Sequence, residues 1–322
     1  MMSKRLIAIG EALIDLIPDK TGCEFSEVTA FSPKLGGAPA NVCGAFARLG
    51  GSARLITQLG CDPFGDKILR ELAEYNIDTS CISRTDKANT ALAFVSLAKD
   101  GNRTFSFYRK PSSDMLLTSD KIRYEWFEDV FALHFCSVSL GDFPIKNAHY
   151  TAIDAARKNG GIISFDPNLR FQLWDDPKKL KDTVLEFIPL ADILKISDEE
   201  LEFITGESDL KKGIPKLFAG NVKMVVYTCG GGSAYAFTEN NVSVSAAYKV
   251  NVKDTTGAGD GFIGAFLWKL CGLGITAGTL SDIDESEQRE CLDLANAFCA
   301  ESVRKYGAIP SYPTLEEIRQ KI

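Results

Sequence analysis

Short apolar runs alternate with helical spacings along most of this chain. Residues 5–10, RLIAIG, are apolar, end on glycine, and read as a buried strand. From Asn41, NVCGAFARLG sets Val42, Ala45, Phe46 and Leu49 at helical spacing, and Gly50 stops the helix. Residues 53–60 read as a strand and 64–75 as an amphipathic helix. Further strands are expected at 130–135, 160–168, 191–197 and 222–230, separated by helices near 144–159, 177–188 and 198–219. Strands and helices in this order predict a mostly parallel sheet covered on both faces, a three-layer α/β/α fold. Two stretches break the rhythm. Residues 11–34 are polar and partly alternating, and 88–110 alternate around KDGN (99–102), as a hairpin would. They predict a small β element on the rim, a lid built from about 11–34 and 88–112 within a single domain spanning 1–322.

Composition narrows the options. Hydrophobic residues make up 45% of the 322 and charged residues 25%, enough to bury one large core. The net charge of −7 argues against a general nucleic-acid or membrane-surface binder, which needs a basic face. Lys4 and Arg5 precede an apolar run, as in a signal peptide, but Glu11 and Asp15 cut it too early. No run approaches the ~18 apolar residues of a membrane span. The nine cysteines are scattered without a CxxC pair, so reduced thiols in the cytoplasm are expected. Only two histidines, His134 and His149, are present, which disfavours histidine-based zinc or triad chemistry.

The chemistry concentrates in DTTGAGDGFIGAF, residues 254–266. Gly259, Gly261 and Gly264 fit GxGxxG, but a dinucleotide site should open an early βαβ unit and lead to a second strand. Here the motif lies near the C-terminus, and a polar stretch and another helix follow it. The nearest Walker-like segment, GCDPFGDK (60–67), has Asp66 where lysine belongs. Another reading is an anion hole: small residues at a helix start let backbone N–H groups approach an anion. Asp260 would then either cap the helix or take the proton of a hydroxyl attacking a phosphoryl group. On this segment alone the two roles stay open.

A second glycine cluster, GGAPAN, puts Gly36 and Gly37 before a helix with Asn41 on its first turns, a shape suited to a polyhydroxylated ligand. Together GGAPAN and DTTGAGD resemble the two signature motifs of the ribokinase (PfkB) family of carbohydrate kinases. DPNLR (166–170), SDEE (197–200), the glycines after Tyr227 and KYGAIPSYP (305–313) follow in the family's order, so the likeness covers nearly the whole chain. FSFYRKPSSDMLL (105–117) and SFDPNLRFQLW (164–174) are similar to segments of fructokinases. The resemblance implies a ribokinase-like fold and ATP-dependent phosphorylation of a sugar primary hydroxyl, with Mg²⁺. Fructose is the expected sugar; ribose, 2-keto-3-deoxygluconate or an aminoimidazole riboside are alternatives on the same framework. A non-catalytic sugar sensor is the alternative of another class, and the intact Asp260 argues against it.

The resemblance also implies roles. Asp260 matches the catalytic base, and Gly257, Ala258 and Gly259 match the anion hole. Asp15, Gly36, Gly37 and Asn41 match sugar contacts, and Tyr108, Arg109 and Arg170 match substrate-side or phosphate-side contacts. Lys195, Ser197, Thr228, Gly230, Gly232 and Asn296, with the Gly257 and Gly259 amides, fall on the nucleotide side. Glu200 matches a carboxylate that orders water around Mg²⁺, although Ser197 stands where the family's motif has asparagine. Asp254, Thr256, Gly307 and Ser311 match a K⁺ site that orders the anion-hole loop. Gly261 stands where relatives often have Ser, Thr or Ala, and the sequence offers no reason for it. Partners are expected to be a small sugar and, because an exposed β lid invites edge pairing, a second copy of the chain.

Overall fold

The computed structural model describes residues 4–20, 22–23, 25–97 and 103–320. The strands in chain order are β1 (Arg5–Ile9), β2 (Leu13–Pro18), β3 (Phe31–Gly36), β4 (Ser52–Gly60), β5 (Ile77–Asp78), β6 (Ile82–Thr85), β7 (Leu92–Leu97), β8 (Arg103–Tyr108), β9 (Val130–Cys136), β10 (Ile162–Asp166), β11 (Ile193–Ser197), β12 (Met224–Thr228), β13 (Ser233–Phe237) and β14 (Val242–Ala246). The helices are α1 (Ala38–Arg48), α2 (Pro63–Glu74), α3 (Pro144–Lys158), α4 (Pro177–Phe187), α5 (Asp198–Thr205), α6 (Leu210–Gly213), α7 (Ala258–Gly272), α8 (Glu285–Ser302) and α9 (Leu315–Arg319).

Ten strands form the main sheet in the order β14-β13-β12-β11-β10-β9-β1-β4-β5, with β6 also on β4. Pairing is parallel from β12 through β5 and antiparallel at the β13–β14 edge. The period-2 pleat divides each strand between two cores. Leu6, Ala8, Ala132, Ile162 and Val226 pack with α1, α2, α7 and α8. Ile7, Ile9, Leu133, Ile163 and Val225 pack on the other face with α3, α4 and α5. Three layers result, as the alternating runs predict.

Helix α7 is apolar nearly all round because it lies between α1 and α8 with Phe262, Ile263, Phe266 and Leu267 buried. Gly264 lets α1 approach: a Cβ there would stand 2.6 Å from Ala45 Cβ and 2.9 Å from the Val42 carbonyl oxygen. No strand lies between α7 and α8, which removes the dinucleotide reading. The Walker-like segment is the β4–α2 turn, where Asp62 caps α2 by accepting from the Gly65 N–H at 2.9 Å.

The irregular stretches pair into a separate four-stranded sheet, β3-β2-β7-β8. β7 and β8 are antiparallel, and the expected turn at 99–102 lies outside the described residues. The single helix expected at 198–219 is instead broken. α5 ends after Thr205, Asp209 caps the short α6, and a 3₁₀ turn with Pro215 follows. The polar Glu207–Asp209 segment and the missing proline N–H interrupt the ladder. No helix among the described residues is long and apolar enough to cross a membrane.

Candidate active site

The carboxyl ends of the parallel strands carry the polar residues, where open α/β sheets place ligands. Glu11 follows β1, Asp166 ends β10, Lys195 and Ser197 close β11, and Thr228 ends β12. Two cavities open there, and the N-terminus of α7 stands between them. Asp15, Asn41, Arg170, Thr256, Gly257 and Asp260 line one, with the sheet residue Phe107. Thr228, the Gly230–Gly232 turn, Tyr248, Ala258, Gly259 and Asn296 line the other.

Gly257 is the N-cap of α7, at φ 70, a left-handed conformation open to glycine. A Cβ there would also lie 2.6 Å from both Ala308 Cβ and Tyr312 Oη. The Tyr312 hydroxyl donates to the Gly257 carbonyl at 2.7 Å, and the Ala258 N–H donates to the Thr255 carbonyl at 3.1 Å. Asp254 binds the loop from below. Its Oδ1 accepts from the Thr256 N–H at 2.8 Å and the Thr256 hydroxyl at 2.6 Å, and its Oδ2 accepts from the Gly307 N–H at 2.8 Å. Asp254 is therefore loop-ordering through its own hydrogen bonds. Ser311 donates to the Ala308 carbonyl in the same turn, at 2.7 Å. Gly261, unexplained by sequence, faces two rings. A Cβ would sit 3.0 Å from Phe298 Cε1 and 3.1 Å from Tyr312 Cε1, crowding the tyrosine that holds Gly257.

Asp260 is half-buried on the first cavity, and Asn41 Nδ2 donates to its Oδ2 at 2.9 Å. Burial pushes its carboxyl up to about 6; the Asn41 hydrogen bond opposes that, Asp166 adds to it, and Arg170 and Lys195 oppose it. Such a carboxylate titrates near neutrality, as a general base should. Asn41 Oδ1 is buried without a hydrogen-bond partner in the protein. Gly36 makes room for Asp15: a Cβ on it would lie 2.2 Å from Asp15 Oδ2. Gly37, at φ 108, lies so close to Glu11 that a Cβ would stand 2.5 Å from the Glu11 carbonyl oxygen.

Behind the second cavity, Lys195 is buried, lines neither cavity and pairs with Asp166 at 2.9 Å. Its Nζ lies 3.4 Å from where a Gly259 Cβ would be, so the ammonium sits under the glycine loop. Burial alone would lower its pKa, but the Asp166 and Glu200 carboxylates outweigh that and raise it. Asn296 lines the cavity yet also ties α8 to β14, donating to Ser245 Oγ at 2.9 Å. Ser197 and Glu200 form a capping box at the start of α5 and line neither cavity. Glu200 accepts from the Ser197 N–H at 2.8 Å and the Leu169 N–H at 3.0 Å. This explains serine at 197, since a hydroxyl caps as well as an amide does. Among the described residues, no cluster of three or more His, Cys, Asp or Glu is disposed to hold a metal ion.

Two expected contacts stand elsewhere. Asp15, Ala93 and Phe107 share one row of the small sheet, so Phe107 and not Tyr108 faces the cavity of Asp260. Tyr108, 67% exposed, packs on Phe94 on the opposite face. Arg109 is neither a surface charge nor a free substrate contact. It is 4% exposed and pairs with Asp114, donating also to the Val138 carbonyl at 2.8 Å and Ser139 Oγ at 3.0 Å. Glu11, Asp166 and Phe107 were missed. The carboxyl-end rule could have found the first two, because each ends or follows a strand. The histidines are structural: burial lowers His134 to about 3 and His149 to about 4.

The sequence pattern of the pfkB family carbohydrate kinases matches residues 3–315. Fructokinase-1 of Zea mays is 38% identical over 318 residues, covering 98% of this chain and 97% of its own length. Fructokinase of Xylella fastidiosa, solved with bound ATP, superimposes with a TM-score of 0.91 at 34% identity, covering 99% of this chain and 98% of that one. Fructokinase of Vibrio cholerae O395, solved with fructose, ADP and calcium ion, gives 0.84 at 31% identity and 98% of each chain.

Proposed function

This chain belongs to the pfkB family of carbohydrate kinases, and we propose that it is a fructokinase that transfers the γ-phosphoryl group of ATP to the primary hydroxyl of fructose. The observation that carries the reading is the start of α7, a wall common to two cavities with Asp260 on one side and Gly259 on the other. Sugar occupies the Asp260 cavity and nucleotide the other, so the transferring group meets the helix N-terminus between them. Fructose is the sugar favoured by the fructokinases of Zea mays, Xylella fastidiosa and Vibrio cholerae.

Asp15, beside Gly36, and Asn41 through its unpartnered Oδ1 orient the sugar hydroxyls. Asp260 accepts the proton of the attacking hydroxyl as transfer proceeds. The N–H groups of Gly257 and Gly259 and the Lys195 ammonium stabilise charge on the transferring oxygens, while the Ala258 N–H stays on the Thr255 carbonyl. Arg170, at the cavity mouth, adds a cation on the same side. Thr228, Gly230, Gly232 and Asn296 shape the nucleotide cavity. The small β sheet acts as a lid whose Phe107 excludes water from the sugar side. Mg²⁺ fits as an ion carried on the nucleotide phosphates and water, because no carboxylate cluster is disposed to hold it among the described residues and both Glu200 oxygens already accept backbone N–H groups. A bound Mg²⁺ would neutralise phosphate charge, and Glu200, holding the Leu169 and Ser197 N–H groups, would order the backbone on that side. K⁺ beside Asp254, Thr256, Gly307 and Ser311 adds to order that Asp254 already supplies. Replacing K⁺ by a large organic cation therefore lowers the rate, and an equal rate in both rules the site out.

The outer face of the lid carries Phe25, Phe31, Phe94 and Tyr108, with ring centroids 5.0–5.9 Å apart, and Phe25 and Tyr108 are 49% and 67% exposed. This patch packs against the lid of a second copy. Light scattering should give a dimer that Tyr108→Asp dissociates; a monomeric parent protein refutes it. All nine cysteines are unpaired, which suits the cytoplasm. ADP release with Mg·ATP across a panel of fructose, ribose, 2-keto-3-deoxygluconate and aminoimidazole riboside tests the function. Fructose should give the highest kcat/KM, and release that no sugar stimulates overturns the reading.

A further inference from the structure

Helix α1 carries Asn41, which holds Asp260, yet its N-cap is Gly37 and offers no side chain to its N-terminal amides. A capping serine or aspartate is sterically barred there by the close approach of the Glu11 backbone. The cap comes from another segment. Glu11, 2% exposed, accepts from the Ala38 N–H through Oε1 at 3.1 Å. Its Oε2 accepts from the Ser139 hydroxyl at 2.8 Å. Ser139 in turn accepts from Arg109 Nη2 at 3.0 Å, and Arg109 Nε donates to Asp114 Oδ2 at 3.1 Å. Arg109 directly follows β8, at the root of the small sheet.

Two buried carboxylates thus flank one buried guanidinium. Burial raises the Glu11 carboxyl, against the pull of Arg109 and Ser139. A buried carboxylate is an expensive way to cap a helix, and replacing such groups by apolar ones is often harmless to stability. This one spans β1, α1, the loop after β9 and the lid root, and it opens onto the Asp260 cavity.

We propose that Glu11 is a positioning residue for the transfer reaction. It caps α1 so that Asn41 is set against Asp260, and through Ser139 and Arg109 it ties that helix to the root of the lid. The inference rests on Asp260 being the base. Asp166, Arg170, Lys195, Cys136, Cys299 and Tyr312 surround that carboxylate as well, and of these only Cys136, whose thiol donates to Glu11 at 3.8 Å, touches this chain of bonds.

The test is steady-state kinetics of Glu11→Met, which keeps the length of the side chain and removes both acceptor oxygens, with Asn41→Ala and the double variant. Glu11→Met should lower kcat by about tenfold or more while fructose and ATP KM stay within about threefold. Added to Asn41→Ala it should lower kcat by less than about twofold further, because both act through one contact. The acid limb of kcat should move to higher pH, since the Asn41 hydrogen bond is what favours the ionised Asp260. An unchanged kcat, a rise in fructose KM alone, or fully additive losses overturns the proposal. If Glu11→Met does not fold, as judged by its melting transition, Ser139→Ala breaks only the link to Arg109. That variant should lower kcat by a smaller factor, and an unchanged kcat refutes the coupling to the lid. A parent enzyme without sugar-dependent ADP release would instead defeat the functional reading itself.

Discussion

Asp260→Asn should move activity and stability in opposite directions. The carboxyl stands at about 6 against an ordinary 3.8, chiefly through burial. At 1.36 kcal/mol per pKa unit, that difference corresponds to ~3 kcal/mol. The folded-state value is raised, so folding is favoured fully below the unfolded value and loses that stability as pH rises through 3.8 to about 6. At pH 7 the ionised side chain therefore costs the fold up to ~3 kcal/mol. Asparagine is uncharged and can still accept from Asn41, so the variant should melt a few degrees higher at pH 7 and gain nothing at pH 3.5. Its kcat should fall by at least about 10², the low end for a lost general base, with sugar and ATP binding little changed. In the parent protein, a base with pKa about 6 is about nine-tenths ionised at pH 7 and about one-tenth at pH 5, so kcat/KM should drop about tenfold. Coupled ADP assays and thermal melts at matched pH measure both arms. Near-parental kcat, or a lower melting temperature at pH 7, refutes the reasoning.

Three further outcomes follow from the packing. Gly36→Ala drives a Cβ into Asp15 and should raise fructose KM at least about tenfold while ATP KM stays put, as sugar and ATP titrations would register. Gly264→Ala wedges α7 from α1 and should cost about 1–3 kcal/mol in urea unfolding, with a fall in kcat as Asn41 leaves Asp260. Arg109→Ala strands the buried Asp114 and should cost ~3–5 kcal/mol by the same unfolding measurement, far more than loss of a surface charge.

Much of the site was legible because glycine leaves a plain mark where backbones crowd. Gly36, Gly37 and Gly257 each stand where a Cβ would collide with Asp15, Glu11 or Tyr312. The main parallel strands were legible from continuous apolar runs. Others were not. β5 is two residues long, and β14 exposes Val242 and Val244 on an edge, so neither carries a clear pattern. Tyr108 and Arg109 were misplaced for a geometric reason. Pleat parity decides which lid residue meets the cavity, and a hairpin sequence shows alternation without showing which face is inward. Arg109 stands past the strand end, where the chain turns down onto Asp114, a partner five residues on that no motif announced. Glu11 was hidden because its task, capping α1 across 27 residues, exists only once β1 and α1 are packed.

The central claim is a phosphoryl transfer at the junction of two cavities, and identifying the product tests it most directly. With fructose, ATP and Mg²⁺, ³¹P and ¹³C NMR should show ADP and fructose 6-phosphate in equal amounts, with transfer abolished in Asp260→Asn. Inorganic phosphate in place of the sugar phosphate, or no consumption of ATP, contradicts the account.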